Sequence, residues 1–395
     1  MKILFYLPVM TPWWFDQVFE PLIRRVAAVA EVHVLAPAPW QNTGIGADQL
    51  ERCADLDGVQ WSIVDDADHP SLRTVPADPE GLVAFVAAIA PDLVLCRSAD
   101  VDTPRRFPGV VRHIMEAVLT PFDLGDRPNT IFLPESPFAN GAMPELTAQQ
   151  AAQIDALITP CWDDMQAHWR AAIPDRATVF GAFDLPLDRP AILLPLEYAH
   201  AENFYLQHRP GGLDDEALVR QAAESVAAAG MTLVVTDHPL NSLYVERQPL
   251  YDAIHALDGP VLADPAALGQ SATTALLAHV DGVLLGDSKT FATAAAFGTP
   301  MYRATRFESA PWLHMETDLF RFLAAVSAGT AARPDAALVR RWFGYHYANE
   351  AFHPTDPALT GARVIAHALR PLDPSRWEVG LGLLARPAGS EELAA

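Results

Sequence analysis

Cysteine is scarce in this chain, and spacings typical of metal ligands are absent. The 395 residues include three cysteines, Cys53, Cys96 and Cys161, which are too few and too scattered for a disulfide framework. No CxxC pair and no Cys/His spacing suggests a zinc site. The sequence therefore disfavours a disulfide-rich secreted domain and predicts a protein of the reducing cytoplasm.

Positive charge is also in short supply. Lysine and arginine total 27 against 49 aspartates and glutamates, a formal net charge of −22, which argues against DNA or an anionic membrane surface as a partner. No run of about 18 apolar residues could span a bilayer, and the apolar start at residues 1–8 lacks the pattern of a signal peptide. With 50% hydrophobic and 19% charged residues, the chain predicts large buried cores rather than disorder.

Short apolar runs alternate with helical patterns along the chain, as in parallel α/β sheets. In the first half we predict strands at residues 2–7, 31–36, 59–64, 93–96, 130–133, 156–159 and 177–180, and helices at 19–29, 81–90, 110–117 and 148–155. In the second half we predict strands at 191–195, 232–236, 260–263 and 282–285, helices at 214–229, 248–256, 271–278 and 291–297, and a strand after Gly298.

A segment rich in proline and charge, residues 184–190, separates the two halves as an interdomain linker would. The predicted fold is α/β, with two Rossmann-like domains facing across a cleft: residues 1–186 and 187–365, followed by a C-terminal extension over 366–395 that partly crosses back and ends in a loose tail. Because ligands of such sheets bind beyond the carboxyl ends of the strands, residues that directly follow strands are the candidates for function.

The most informative of these segments follows the predicted strand at 282–285. Gly286, Asp287, Ser288, Lys289 and Thr290 place hydroxyls, a cation and backbone amides at a helix N-terminus, where an anion binds readily. The segment matches neither the P-loop nor the GxGxxG fingerprint, so it suits one phosphate rather than a triphosphate. The alternative is a plain helix cap by Asp287 or Ser288.

Candidate acid–base residues follow two other strands. Glu135 stands between Pro134 and Pro137, which restrict the backbone and would fix a general acid or base; the alternative is a loop carboxylate that caps the next segment. Glu197 and Glu202 lie in one strand-end loop, and either could pair with Glu135 as the nucleophile of glycosyl chemistry. The alternative for that loop is an ordinary polar connection.

A histidine follows the predicted strand at 232–236. In the sequence Asp237-His238-Pro239, the proline restrains the histidine toward extended backbone, and the imidazole could donate to a phosphate or nucleotide oxygen. The alternative is a packing histidine.

An aromatic segment and an arginine-containing segment each allow a functional and a structural interpretation. The aromatic segment at 12–15 could stack on a sugar or act as a hydrophobic plug. The arginines of residues 303–308 could reach an acidic group or be ordinary exposed loop residues.

Taken together, these motifs resemble the retaining β-Kdo transferases of bacterial capsule and lipopolysaccharide synthesis. The resemblance rests on Asp237-His238-Pro239, which looks like that family's His-Pro motif for CMP, and on residues 286–290 ahead of an alanine-rich helix and Phe297-Gly298-Thr299-Pro300. It covers most of the chain. The family's nucleophile is an aspartate, where this chain offers glutamates.

The resemblance implies a GT-B architecture, with an acceptor-side domain at 1–186 and a nucleotide-sugar domain at 187–365. It implies a CMP-activated 3-deoxy-2-ulosonic acid donor, a glycan or glycolipid acceptor, no cofactor and no metal. Glu202 or Glu197 would attack the anomeric carbon, Glu135 would deprotonate the acceptor, and His238, Ser288 and Lys289 would offset phosphate charge. The alternative hypotheses are a GT-B-like sugar-nucleotide epimerase, a UDP-sugar transferase and a non-catalytic scaffold.

Overall fold

The computed structural model describes residues 1–40, 43–65, 72, 76–118, 122, 130–199, 208–268 and 271–381. Contacts between residues divide the chain into two compact units. Unit 1 comprises Met1–Leu119, Leu124–Pro137 and Tyr345–Ala395, and unit 2 comprises Thr120–Asp123 and Phe138–Gly344. Residues 138–186, which the predicted boundary assigned to the first domain, group with unit 2, and the chain returns to unit 1 at Tyr345 instead of at residue 366.

Strands and helices alternate through most of both units. The strands are β1 Lys2–Tyr6, β2 Glu31–Pro37, β3 Val59–Val64, β4 Leu93–Cys96, β5 Val110–His113, β6 Met115–Glu116, β7 Ile131–Phe132, β8 Ala191–Pro195, β9 Thr232–Thr236, β10 Val261–Leu262, β11 Gly282–Leu285 and β12 Met301–Arg303. The helices are α1 Pro12–Trp14, α2 Glu20–Ala27, α3 Ala47–Arg52, α4 Pro79–Ile89, α5 Ala148–Ala172, α6 Arg176–Ala182, α7 Asp215–Ala228, α8 Asn241–Tyr244, α9 Gln248–His255, α10 Ala272–Leu277, α11 Thr290–Phe297, α12 Leu319–Ser327, α13 Ala336–Tyr345, α14 Gly361–Leu369 and α15 Trp377–Leu381.

Unit 1 contains a five-stranded sheet with the order β3-β2-β1-β4-β5, in which every neighbouring pair is parallel. Strand β1 is apolar throughout its centre because both of its faces are covered. Ile3 and Phe5 pack into a core that includes residues of α2 and α14, whereas Leu4 and Tyr6 pack into a second core with Val86 of α4. A short antiparallel pair, β6 and β7, completes the strands of this unit.

Unit 2 contains a second five-stranded parallel sheet, and its order, β10-β9-β8-β11-β12, repeats that of unit 1. Residues of β8 and β9 form its core with residues of α7, α9 and α12. Two parallel sheets of this order are the doubly wound arrangement that Rossmann-like units share. The predicted α/β class and the pair of Rossmann-like sheets are therefore confirmed.

The predicted helix at residues 110–117 is wrong, because this segment forms strands β5 and β6. Val110 and Val111 carry β-branched side chains, which fit a pleated strand better than a helix, and they pair with Leu93 and Val94 of β4. The chain then bends at Ile114, whose backbone N–H donates to the carbonyl of Cys96 at 2.7 Å. A short apolar run is compatible with either structure, and here the free edge of β4 decides between them.

The predicted strands at 156–159 and 177–180 are wrong as well. The first lies inside α5, where Ile154, Ile158, Trp162 and Met165 are buried at helical spacing. The second lies inside α6, which begins after Asp175; the Asp175 side chain accepts from the N–H of Thr178 at 2.8 Å. This aspartate cap is a helix signal that the apolar run after it obscured. In the described part of the chain, no helix has the length and apolar character needed to cross a membrane.

Acid should destabilise unit 1 through His113 at the end of β5. This side chain is 2% exposed, and burial, together with Arg105 and Arg112, lowers its pKa from 6.5 to about 3. The folded protein therefore binds fewer protons than the unfolded chain between these values, so stability falls as the pH drops below about 6.5, by about 1.4 kcal/mol per pH unit at this one site.

We expect His113→Phe to lose less stability than the wild type between pH 7 and pH 5 in urea unfolding. His255→Gln changes an exposed histidine and serves as the control, which should follow the wild type. Equal acid sensitivity of His113→Phe and wild type would contradict the assignment.

Candidate functional site

Strand β8 is the central strand of the unit 2 sheet. Strands β9 and β10 lie on one side of it, and β11 and β12 lie on the other. In parallel sheets of this order, ligands bind outside the carboxyl ends of the strands where the winding reverses. In unit 2 these strands are β8 and β11. The candidate site therefore consists of the segments after the central strands: the β8 loop (residues 196–199), the β9 loop (237–240) and the β11 loop (286–290).

Glu197 joins the β8 loop to the β11 loop. It is 6% exposed, its Oε1 accepts the backbone N–H of Asp287 at 2.9 Å, and its Oε2 lies 3.4 Å from Nε of Arg209. A Cβ atom on Gly286 would lie 2.7 Å from Glu197 Oε1, so a glycine is needed where the two loops approach. Both carboxylate oxygens of Glu197 thus have protein partners, and the side chain supports the β11 loop.

Asp287 is buried beside this contact and is paired with Arg303 from the end of β12. Nη2 of Arg303 lies 2.7 Å from Oδ1 of Asp287, and the same guanidinium donates to the carbonyls of Gly286 and Phe138. Burial raises the pKa of Asp287, which Arg303 partly opposes, and burial likewise raises the pKa of Glu197 against the effect of Arg209. Of the two interpretations of residues 303–308, Arg303 follows the one in which an arginine reaches an acidic group: it is 1% exposed and pairs with a carboxylate of the protein itself.

A chain of ion pairs continues from Glu197 to the β9 loop. Nη1 of Arg209 lies 2.7 Å from Asp215, and Asp215 also pairs with Nη1 of Arg247 at 2.5 Å. Arg247 donates to both carboxylate oxygens of Asp237, from Nε to Oδ2 and from Nη2 to Oδ1, each at 2.8 Å. Buried charges are tolerated when each has a partner and hydrogen bonds. The carboxyl ends of β8, β9 and β11 are therefore linked by one buried ionic network.

His238 has a defined hydrogen-bonding state. Pro239 has no N–H to donate, and the next backbone amide, that of Leu240, donates to Nδ1 of His238 at 3.2 Å. A neutral imidazole whose Nδ1 accepts carries its proton on Nε2. Its ring centre lies 5.6 Å from that of Tyr198 in the β8 loop. His238 therefore presents an Nε2–H donor beside an aromatic ring at the carboxyl edge of the sheet.

The β11 loop presents two hydroxyl groups and one ammonium group. Oγ of Ser288 lies 2.8 Å from Oγ1 of Thr290 and also accepts the Thr290 N–H at 3.2 Å, while the Ser288 carbonyl accepts the N–H of Phe291 at 3.4 Å. Ser288 thus accepts from the first two backbone amides of α11, those of Thr290 and Phe291. Any phosphate contact here would come chiefly from the hydroxyls and from Lys289, which is half-buried.

The predicted catalytic glutamates differ in their surroundings. Glu135 of unit 1 follows β7; its side chain is 86% exposed, and one oxygen lies 3.7 Å from Nη1 of Arg112. It is held in place by its neighbour, because the carbonyl of Pro134 accepts the N–H of His113 at 2.8 Å. Glu197 is buried in unit 2, as described above. Glu202, the third candidate, lies outside the described residues.

The aromatic segment after β1 packs in part as the predicted hydrophobic plug, whereas stacking on a sugar stays a prediction. Phe15 is fully buried and Trp14 packs against the core of unit 1, whereas Trp13 is 53% exposed. The guanidinium of Arg97, which follows β4, lies 3.8 Å from the ring centre of Trp14. The segment is therefore anchored by two of its rings, and Trp13 presents the third to solvent.

Sequence reasoning missed the residues that hold the loops of unit 2 together. The missed residues are Asp215, Arg209, Arg247, Asn241 and Tyr251. Asp215 stands in the first turn of a predicted helix, where acidic residues are common. Only the spacing of Asp237 and Asn241, four residues apart, hinted at a local contact. Among the residues that the structure describes, no group of three or more His, Cys, Asp or Glu side chains could hold a metal ion.

No protein-family model and no curated protein matches the chain. Solved structures similar to it include the β-Kdo 2,4 transferase of Thermosulfurimonas dismutans KpsC, with a TM-score of 0.46 and 14% identity over 93% of this chain and 98% of that one. The β-Kdo 2,7 transferase of the same KpsC has a TM-score of 0.43 and 9% identity over 85% and 98% of the two chains. UDP-GlcNAc 2-epimerase of Neisseria meningitidis has a TM-score of 0.33 and 11% identity over 87% and 98%.

The support role of Glu197 predicts a graded response to substitution. Glu197→Ala leaves the Asp287 N–H and one side of Arg209 unpaired in a buried place, so we expect it to lower the free energy of unfolding by about 3 kcal/mol. Glu197→Gln keeps an oxygen for the Asp287 N–H, so its loss should be clearly smaller. Urea unfolding measures both.

Glu135→Ala is the control for this comparison, because it removes an exposed carboxylate and should change stability by less than about 0.5 kcal/mol. Wild-type stability of Glu197→Ala would show that the side chain does not support the β11 loop.

Proposed function

We propose that the protein is a glycosyltransferase of bacterial surface polysaccharide synthesis, which moves a Kdo-like 3-deoxy-2-ulosonic acid from a CMP-activated donor to a glycan acceptor. The observation that carries the proposal is the position of His238 at the carboxyl edge of the unit 2 sheet, where its Nδ1 accepts from the Leu240 amide and its proton is therefore assigned to Nε2. A donor in this place can hold a nucleotide phosphate or ribose oxygen. The resemblance of Asp237-His238-Pro239 to a CMP-binding motif supports the choice of nucleotide.

The β11 loop supports a donor with one phosphate. Its ligand-binding groups are the hydroxyls of Ser288 and Thr290, 2.8 Å apart, and the ammonium of Lys289, whereas the first amides of α11 are engaged within the protein. A triphosphate or pyrophosphate is usually wrapped by a glycine-rich loop with several amides available. Two hydroxyls and one cation suit the single phosphate of a CMP-sugar.

Lysine usage singles out Lys289 for this role. The chain has 25 arginines but two lysines, Lys2 and Lys289. Lys2 lies in β1, where its Nζ donates to the carbonyl of Ile89 at 2.9 Å and pairs with Glu31. A lysine acts toward a phosphate as a compact point charge without the fixed fork of arginine. Lys289 is therefore the natural counter-charge for the departing phosphate in this proposal.

The burial of Glu197 decides between the two candidate nucleophiles, Glu197 and Glu202. Both oxygens of Glu197 are engaged by protein groups, so the proposal assigns the attack on the anomeric carbon to Glu202. The bond from that carbon to the phosphate oxygen would break as the ester to Glu202 forms, and the acceptor hydroxyl would then displace the ester. Glu135, whose carboxylate is exposed in unit 1, stays the proposed general base for the acceptor proton.

Calorimetric titration with CMP, UDP and GDP tests the nucleotide. We expect the wild type to prefer CMP, and His238→Ala to lose about tenfold or more in CMP affinity, since a hydrogen bond to a charged group contributes about 1.5–3 kcal/mol. His255→Ala, an exposed histidine of the same unit, is the matched control and should bind as the wild type does. A preference for UDP would favour an epimerase or a UDP-sugar transferase, and failure to bind any nucleotide would favour the scaffold.

Lysine acylation tests the phosphate contact separately. Because the chain has two lysines, amine acylation followed by mass spectrometry reports on Lys289, with Lys2 as an internal control. We expect CMP to slow acylation of Lys289 and cytidine, which has no phosphate, to protect it much less. Acylation of Lys2 should not change with either ligand. Equal protection by CMP and cytidine would contradict a phosphate contact at Lys289.

A further inference from the structure

We infer that Asn241 is a positioning residue that fixes Tyr198 and His238 for the nucleotide. Asn241 is the first residue of α8 and is completely buried. Its Oδ1 accepts the backbone N–H of Ala199 at 2.8 Å, and its Nδ2 donates to the carbonyl of Glu197 at 3.0 Å. These two bonds hold the backbone on both sides of Tyr198, so one amide group clamps the β8 loop.

The same side chain also holds the β9 loop. Nδ2 of Asn241 donates to Oδ1 of Asp237 at 2.6 Å, and that oxygen accepts the backbone N–H of His238 at 2.9 Å. The other oxygen of Asp237 accepts from the Tyr251 hydroxyl at 2.7 Å; burial and the bond to Asp237 raise the pKa of Tyr251 to about 12, so this hydroxyl stays a donor. Asp237 thereby transmits the position of Asn241 to His238.

The bonds require an amide at position 241. One end of the group must accept from Ala199 while the other donates twice, to Glu197 and to Asp237, which is the inventory of asparagine. An ionised aspartate at position 241 would place a carboxylate oxygen, which only accepts, against the Glu197 carbonyl and the Asp237 carboxylate. Alanine would leave the Ala199 N–H and the Glu197 carbonyl unpaired in a buried place. Because Asn241 holds two loops together, its loss should disturb the geometry between them.

The consequence for the ligand rests on the proposed function. The rings of Tyr198 and His238, 5.6 Å apart between centres, flank the place assigned to the nucleotide, and their spacing depends on the clamp. Binding that uses both loops requires them in one fixed arrangement before the ligand arrives. Removing the clamp should therefore weaken nucleoside monophosphate binding even where the protein stays folded.

The experiment compares Asn241→Ala and Asn241→Asp with Leu243→Ala, an exposed residue of the same helix (68% exposed). CMP affinity is measured by calorimetry and the His238 ring by ¹⁵N NMR, whose shifts report which nitrogen is protonated. We expect both Asn241 variants to bind CMP at least tenfold more weakly and to lose the single Nε2–H signature of His238. Leu243→Ala should match the wild type in both measurements.

Two outcomes separate this inference from the proposed function. If the wild type does not bind CMP but the Asn241 variants still change the His238 signals, the clamp stands and the nucleotide assignment fails. If the wild type binds CMP and the folded variants keep its affinity and its His238 signals, the clamp is overturned. Should the Asn241 variants not fold, Tyr251→Phe removes one donor to Asp237 at a milder site; it should shift the His238 signals in the same direction, and unchanged signals would overturn the inference.

Discussion

The structure of unit 2 depends on how carboxylates are kept inside the protein at the carboxyl edge of one sheet. An unpaired buried carboxylate is so unfavourable that it must find a cation or lose its charge. Here three arginines meet four carboxylates, and the pair of Arg247 with Asp215 joins residues 32 positions apart in the sequence. The network consists of Glu197, Asp215, Asp237 and Asp287 with Arg209, Arg247 and Arg303. Each buried carboxylate and guanidinium group of this network needs its ion-pair partner. Movement of one loop would therefore leave a buried charge unpaired.

This constraint explains why the groups assigned to the ligand are so few. The buried network fixes the backbone of three loops, and what remains at the surface of these loops is an imidazole, an aromatic ring, two hydroxyls and an ammonium group. A binding site gains precision when its contacting side chains are supported by a rigid second layer. The acidic residues that crowd this edge in the sequence therefore pair mainly with arginines of the protein itself, and the roles toward a ligand are proposed for neutral and cationic side chains.

The sequence predicts strand ends well and the burial of their side chains poorly. Short β-branched apolar runs bounded by turn residues, such as Leu233-Val234-Val235, favour buried strands, and Asp237 and Glu197 follow the carboxyl ends of β9 and β8 as predicted. Whether a strand-end carboxylate faces a ligand or an arginine depends on residues such as Arg209 and Arg247, which no local pattern connects to it. The misassigned segments 110–117 and 177–180 have the same cause, because a short apolar run takes its structure from a neighbouring strand edge or a cap.

Charge gives the last constraint on the proposed chemistry. A CMP-activated ulosonic acid carries a phosphate and a carboxylate, and the chain has a net charge of −22, so the average field repels it. At physiological ionic strength, however, exposed charges are largely screened beyond about 8 Å, and contacts within hydrogen-bond range decide binding. The carboxylates of Glu197 and Asp287, which lie nearest the β11 loop, pair with Arg209 and Arg303, and these pairs offset their negative charge. In the proposed function, Lys289 therefore supplies a local positive charge for the anion, next to carboxylates that already pair with arginines.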